Sequence, residues 1–554
     1  MNRSGLVEQA ADGRADRRGT RARRVLAVGA TVVAALLVWV ALLAPADLSR
    51  FSVPAFLRVP VEALVAVVLL LVLPPRARRV VAVVLGVLLG LLVVLKALDI
   101  GFDLVLYRPF DLVLDWPLLG PALDFVRVTY GGVGAVVAVG SAVLLALGVI
   151  AAVVWAVTRL AGVVGRRRTA ATRAVVVFAV AWITVSAPGL ALEPGTPLAA
   201  HSAATLVGDH ARAVAAGLRD RDEFDRVSTV DAFRGTPADE LLTSLRGKDV
   251  MVVFVESYGR SAVEDPALSP VVDAALDAGT RQLDAAGFAS RSGFLTSPTA
   301  GGGSWLAQAT LLSGLRVDNQ QRYRTLVAGD RLTLTSAFHQ ASWRSVGVLP
   351  GITQAWPEGR FFGYDRIYAA ADVGYAGPRF GYATMPDQYA LGAFQRAERA
   401  PGHRPVMAAM PLVSSHAPWS PVPKPVDWNA LGDGSVFAGG GSDDPPESIF
   451  GRDPATVRTD YATSIAYSID TLVSYVRTYG DDNLVLLFLG DHQPAQVVTG
   501  EGATKDVPIT LVARDRAVLA HTDPWSWTPG LNPAPTAPTW PMESFRDRFL
   551  TAFR

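Results

Sequence analysis

The residues best suited to chemistry in this chain gather where apolar runs end. NLVLLFLG runs into Asp491 and His492 within LFLGDHQP, VMVVFV ends at Glu256, and PVMAAMPLV runs into Ser414, Ser415 and His416. A carboxylate pair with one imidazole suits a divalent metal of borderline hardness, such as Mn²⁺, Zn²⁺ or Mg²⁺. Each residue alone has a plainer reading: Glu256 as a helix cap, His416 as a loop histidine, Asp491-His492 as a turn. Their shared position favours a site. A nucleophile is available in TSPTAGGGSWLAQATLLSGL, where glycines 301–303 precede Ser304 and an apolar helical pattern follows. That spacing predicts Ser304 at a helix N-terminus, where free N–H groups and the dipole favour an anionic phosphoryl group. Metal coordination would activate the hydroxyl by stabilising its alkoxide. The competing reading makes Ser304 a helix cap and nothing more.

These residues need elements to hold them. From residue 247 onward, continuous apolar runs recur at VMVVFV, RSVGVL (344–349), PVMAAMPLV, NLVLLFLG and VPITLVA (507–513). Runs without alternation predict strands buried on both faces. Helical patterns such as TDYATSIAYSIDTLVSYVRTYG (459–480) lie between them. Strands alternating with helices predict an α/β sandwich, and ligands bind outside the carboxyl ends of such strands. Segment 421–457 is rich in Gly, Pro and Asp and reads as a loop or lid. Asp387, in MPDQYAL, reads as a helix cap rather than a ligand.

The first part of the chain is different. Half of the 554 residues are hydrophobic, and the mean hydropathy of +0.30 is too high for an ordinary soluble protein. The excess is concentrated before about residue 195. Runs near 25–44, 57–74, 79–98, 131–157 and 173–193 predict a transmembrane domain of five helices over 25–193. Arginines crowd the tail 1–24, the loop at Arg76–Arg79 and the loop at Arg159–Arg173, whereas the loop 99–130 is acidic. The positive-inside rule then places the basic segments in the cytoplasm and everything after about 194 outside the cell membrane. Residues 194–246 read as an extracytoplasmic linker, 247–520 as the catalytic domain and 521–554 as a Pro/Trp-rich extension. A net charge of +1 makes no case for nucleic acid. With no cysteine in the chain, disulfides, thiolate ligands and a cysteine nucleophile are excluded.

The set VFVESYGRSA, GGGSWLAQATLLSG, SSHAPW and FLGDHQP resembles the sulfatase-like, lipoteichoic acid synthase-type phosphoglycerol transferase branch of the alkaline phosphatase superfamily, over roughly 246–515. The resemblance implies an alkaline phosphatase/sulfatase-type sandwich and one divalent metal ion, Mn²⁺ foremost. It implies Glu256, Ser304, Asp491 and His492 as metal ligands, Ser304 as the residue that becomes phosphorylated, and His416, Trp356 and Arg360 as substrate contacts. Several positions depart from the family. Its synthases carry threonine as nucleophile, and Thr299 is close enough to Ser304 to be the alternative. A true sulfatase needs Pro or Ala two residues after the nucleophile and Arg four after it, where this chain has Leu306 and Gln308. The family's histidine after the middle strand is absent from VLPGITQAW. The resemblance implies transfer of a phosphoglycerol-like group from a membrane lipid donor to an envelope glycopolymer or lipid acceptor. A phosphodiesterase, phosphatase or sulfatase-like hydrolase of the same fold is the alternative. A catalytically inactive scaffold is a third reading, opposed by the presence of all four metal-site residues.

Overall fold

The computed structural model describes residues 3–186, 191–193, 196–197, 199–200, 202–444 and 446–554. The chain divides into two compact units, one made of residues 1–103 and 108–216, the other of 104–107 and 217–554.

The first unit is helical. Its main helices are α1 (Arg3–Leu43), α2 (Val61–Val72), α3 (Pro75–Leu106), α4 (Leu119–Arg166) and α5 (Arg168–Ser186). Among the described residues, three helical stretches are long and apolar enough to cross a membrane: Arg23–Leu43, Pro75–Leu106 and Gly131–Arg166. That is three rather than the five expected. Arg58 and Pro60 delay the start of the second run, so α2 keeps only 12 residues, short of the roughly 20 that a bilayer core requires. The fifth run is helical as far as Ser186; positions 187–190 lie outside the described residues, and Ala191–Glu193 form a short strand. Valine and leucine side chains stand exposed along these helices, Val133, Val136, Leu144 and Leu145 among them, as a lipid-facing surface requires.

The second unit is built on one nine-stranded mixed sheet. Its strands are β1 (Asp249–Val255), β2 (Ala289–Thr296), β3 (Arg344–Leu349), β4 (Arg366–Ala369), β5 (Val406–Leu412), β6 (Leu484–Gly490), β7 (Asp506–Ala513), β8 (Thr528–Pro529) and β9 (Thr539–Pro541). Their order is β8-β2-β7-β6-β1-β5-β3-β4, with β9 also on β2. From β6 to β4 all neighbours are parallel, whereas β7 runs antiparallel to both β6 and β2.

The apolar runs form strands because both faces are covered. Met251, Val253 and Val255 of β1 point into one core. Val250, Val252 and Phe254 point into the other. Each such side chain contributes about 1.5–3 kcal/mol on burial, so nothing favours alternation with polar residues. Helices α6 (Ser269–Ala285) and α7 (Pro454–Tyr479) cover the first face. Helices α8 (Ser304–Ser313), α9 (Gln320–Ala328) and α10 (Phe545–Ala552) cover the second. Strands β8 and β9 and helix α10 belong to the C-terminal segment 521–554, which adds Trp525, Trp540, Phe545 and Phe549 to that core.

Candidate active site

The parallel centre of the sheet does the positioning. Gly490 of β6 stands level with Val255 of β1, and Val255 stands level with Leu412 of β5. The next residues along these strands are therefore delivered side by side: Asp491 and His492, Glu256, and the turn carrying Ser415 and His416. Gly490 leaves no room for a side chain; a Cβ there would run into the backbone carbonyl of Tyr258.

Ser304 arrives from the other direction. It is the first residue of α8, behind Gly301, Gly302 and Gly303, all with positive φ. Gly303 at the N-cap has φ 83°, a conformation costly for any residue with a Cβ. The cap supplies no side-chain hydrogen bond. The Ser304 hydroxyl instead donates to Glu256 Oε2 at 2.9 Å and lies 3.1 Å from His492 Nε2. It is not a helix cap; it faces the carboxylate–imidazole group.

Glu256, Asp491 and His492 are all buried, and one potential ligand atom from each falls within 4.8 Å of the others. His492 Nε2 is 3.3 Å from Glu256 Oε1 and 3.7 Å from Asp491 Oδ2. The surrounding bonds fix each group. His492 Nδ1–H donates to the Gln493 carbonyl at 2.8 Å, which turns Nε2 toward the carboxylates. Asp491 Oδ1 accepts from the backbone N–H groups of Ser257 and His492, each at 2.8 Å. Asp491 Oδ2 is buried and has no hydrogen-bond partner, a costly state for a carboxylate oxygen. Two carboxylates against one imidazole leave a buried excess of negative charge. Burial opposes ionisation of Glu256, yet the hydrogen bond and charge of His492 outweigh it and hold that carboxyl below its usual range. Burial and the Glu256 charge push Asp491 up to about 7. His492 is raised to about 9: burial works against its charge, but Asp491 and Glu256 prevail. An orphaned oxygen, an imidazole proton held in place by carboxylates and edges of 2.9–3.7 Å are what a small divalent cation with bonds of about 2.0–2.2 Å would satisfy. The donor set fits such an ion.

The other expected site residues are distributed unevenly. His416 is at this end of the sheet, because Ser415 Oγ donates to the Glu256 backbone carbonyl at 2.7 Å. Trp356 and Arg360 are not in the group. Trp356 stacks on Phe362 and donates to the Tyr323 hydroxyl at 3.2 Å, while Arg360 is exposed on the turn Pro357–Phe362. Neither bonds to Glu256, Ser304, Asp491 or His492 among the described residues. Thr299 is buried, with a hydroxyl that has no hydrogen-bond partner, and does not join the four. Asp387 opens the helix Asp387–Glu398, but its carboxylate accepts from the backbone of Val413 and Ser414 and from Ser468 Oγ, tying that helix to the end of β5. The polar string after α8 is engaged in ion pairs, Arg316 with Asp318 inside the string and Arg322 with Asp220 outside it.

One residue escaped sequence reasoning. Tyr382 lies face to face with His416, ring centroids 3.9 Å apart. Burial, then the Glu256 charge, raise the pKa of its phenol. Nothing in PRFGYATMP announces this, since a turn far from every strand end brings it in.

Among solved structures, the chain is similar to the lipoteichoic acid synthase LtaP from Listeria monocytogenes (14% identity, TM-score 0.34, covering 53% of this chain and 71% of that one). It is also similar to the Streptococcus pyogenes phosphoglycerol transferase GacH in complex with sn-glycerol-1-phosphate (11%, 0.35, 60% and 90%). A third is the C-terminal periplasmic domain of EcEptC from Escherichia coli in complex with Zn (14%, 0.34, 54% and 80%). No family model and no curated protein matches its sequence.

Proposed function

We propose that this chain is a membrane-anchored, metal-dependent phosphotransferase that works through a phosphorylated Ser304. The observation that carries the reading is the Ser304 hydroxyl, within 3.1 Å of both Glu256 and His492 in a buried group that fits one divalent cation. Glu256, Asp491, His492 and Ser304 would hold the ion, Mn²⁺ foremost. When bound, it supplies charge stabilisation for a serine alkoxide and for the phosphoryl oxygens.

The chain's own residues do the rest. Glu256 Oε2 accepts a hydrogen bond from the Ser304 hydroxyl, and the His492 ring, locked by the Gln493 carbonyl, keeps Ser304 Oγ fixed at the site. The N-terminal N–H groups of α8 face the incoming phosphoryl oxygens. Ser304 Oγ forms a bond to phosphorus and gives up its proton to solvent water, the bond to the donor alcohol breaks, and the departing alkoxide takes a proton from solvent water. An acceptor hydroxyl then attacks phosphorus and releases Ser304. His416 contacts the phosphoester, and Trp356 and Arg360 bind the substrate farther out.

The donor is a glycerophospholipid, the transferred group phosphoglycerol-like and the acceptor an envelope glycopolymer or lipid. The apolar helices of the first unit crossing the membrane, with the second unit outside the cell membrane, would keep such a site among lipid head groups. The test incubates the full chain in detergent with Mn²⁺ and labelled phosphatidylglycerol, with and without a saccharide acceptor. Diacylglycerol release with label on the saccharide supports transfer. Release of free glycerol phosphate at the same rate in both arms makes water the acceptor and the enzyme a hydrolase.

A further inference from the structure

Tyr382 reaches the site on a tightly held turn. Phe380 and Ala383 exchange backbone hydrogen bonds of 2.9 and 3.1 Å, and the Gly381 N–H donates to the Ser442 carbonyl at 2.6 Å. Phe380 is buried and packs edge-on against Phe437. The tip of the turn is thus fixed on both sides, while Tyr382 keeps 38% of its surface exposed. Its ring lies over His416 with planes 20° apart. Its hydroxyl bonds to nothing among the described residues.

His416 is constrained from its other side. Its Nδ1 bonds to the Ala417 carbonyl at 2.8 Å, its N–H donates to the Val413 carbonyl at 3.1 Å, and Trp419 Nε1 donates to the Ser415 carbonyl at 2.8 Å. Nδ1 is occupied, so Nε2 is the nitrogen left for a ligand. One hydrogen bond at Nδ1 does not set the tilt of an imidazole; a face-stacked ring does.

We propose that Tyr382 is a positioning residue, an aromatic wall that holds the His416 ring so that Nε2 meets the ester oxygen of the departing alcohol. This rests on the phosphotransfer reading of the site. As Ser304 Oγ bonds to phosphorus and the P–O bond to the alcohol breaks, the imidazolium form of His416, its Nδ1–H held by the Ala417 carbonyl, donates its Nε2–H to that oxygen and stabilises its growing charge. The ring supplies the positioning, and the phenol hydroxyl is not needed for it.

The experiment compares Tyr382→Phe and Tyr382→Leu in the full chain with Mn²⁺, using an alkyl phosphodiester and a p-nitrophenyl phosphodiester. Tyr382→Phe keeps the stack and should stay within about threefold of wild-type kcat on both, whereas Tyr382→Leu should lose about 30- to 100-fold on the alkyl ester. The nitrophenyl ester, whose leaving group needs no assistance, should lose less than about fivefold. Equal losses on both esters, or a phenylalanine variant as impaired as the leucine variant, would overturn the assignment. A second readout does not depend on turnover. Carbethoxylation of His416 by diethylpyrocarbonate, followed by peptide mass spectrometry, should accelerate in Tyr382→Leu and not in Tyr382→Phe. An unchanged rate contradicts the stack. A wild-type protein that cleaves neither ester while the His416 rates differ as expected refutes the phosphotransfer reading and leaves the wall standing.

Discussion

At the scale of residues, the site is a problem of buried charge. Glu256 is held ionised by His492, while Asp491 is raised to about 7 and His492 to about 9. A metal takes the deprotonated forms of its ligands, so binding must displace the His492 proton below about pH 9, and the Asp491 proton as well below about pH 7. The sign follows: Mn²⁺ affinity should fall by about tenfold per unit as pH drops from about 9 to 7, and more steeply beneath that. Calorimetry in buffers of different ionisation heat should register about one proton released per Mn²⁺ near pH 8. A dissociation constant that does not change between about pH 6 and pH 8 contradicts this arrangement. Ser304 Oγ bridges Glu256 and His492, Ser257 Oγ reaches only Glu256 Oε1 at 3.1 Å, and the Thr299 hydroxyl has no hydrogen-bond partner. Thr299→Val should therefore keep turnover within about fivefold of wild type, and Ser304→Ala should lower it by at least about 10³-fold, both read as labelled product.

At the scale of elements, the sheet register does the positioning, and it tolerates little. The Cβ of Gly490→Ala would meet the Tyr258 carbonyl one residue before Asp491. The substitution should cost about 1–3 kcal/mol, read as a lowered Tm, together with weaker Mn²⁺ binding because Asp491 is displaced. Strands buried on both faces were legible in the sequence, because VMVVFV, NLVLLFLG and PVMAAMPLV carry no polar break. The Ser304 helix was legible from its glycines. Strand β2 was not. Its sequence ASRSGFLT is polar where Ser292 bonds to Thr510 and to the Gly530 carbonyl, and those partners lie more than 200 positions away. Tyr382 was hidden for the same reason, since its turn is fixed by Phe437 and Ser442. Trp356 and Arg360 lie outside the carboxylate–imidazole group: Trp356 stacks on Phe362 and donates to the Tyr323 hydroxyl, and Arg360 is exposed on the 3-10 turn.

At the scale of the whole molecule, the account needs the apolar helices in a bilayer and the second unit outside it. The chain has no cysteine, so any introduced thiol is the sole target for labelling. In intact cells, a membrane-impermeant maleimide should label Asp443→Cys and should reach Arg167→Cys only after permeabilisation. Both positions are exposed; the reverse pattern would invert the topology. The central claim concerns one atom, Ser304 Oγ, and the most direct measurement is of that atom in the working protein. Full-length protein is given Mn²⁺ and phosphatidylglycerol without acceptor, quenched in acid, digested and analysed by mass spectrometry. The account predicts a glycerophosphoryl adduct on Ser304 that disappears in Ser304→Ala and upon chelation of the metal. An adduct on Thr299, or turnover of lipid by the Ser304→Ala protein at the wild-type rate, would contradict it.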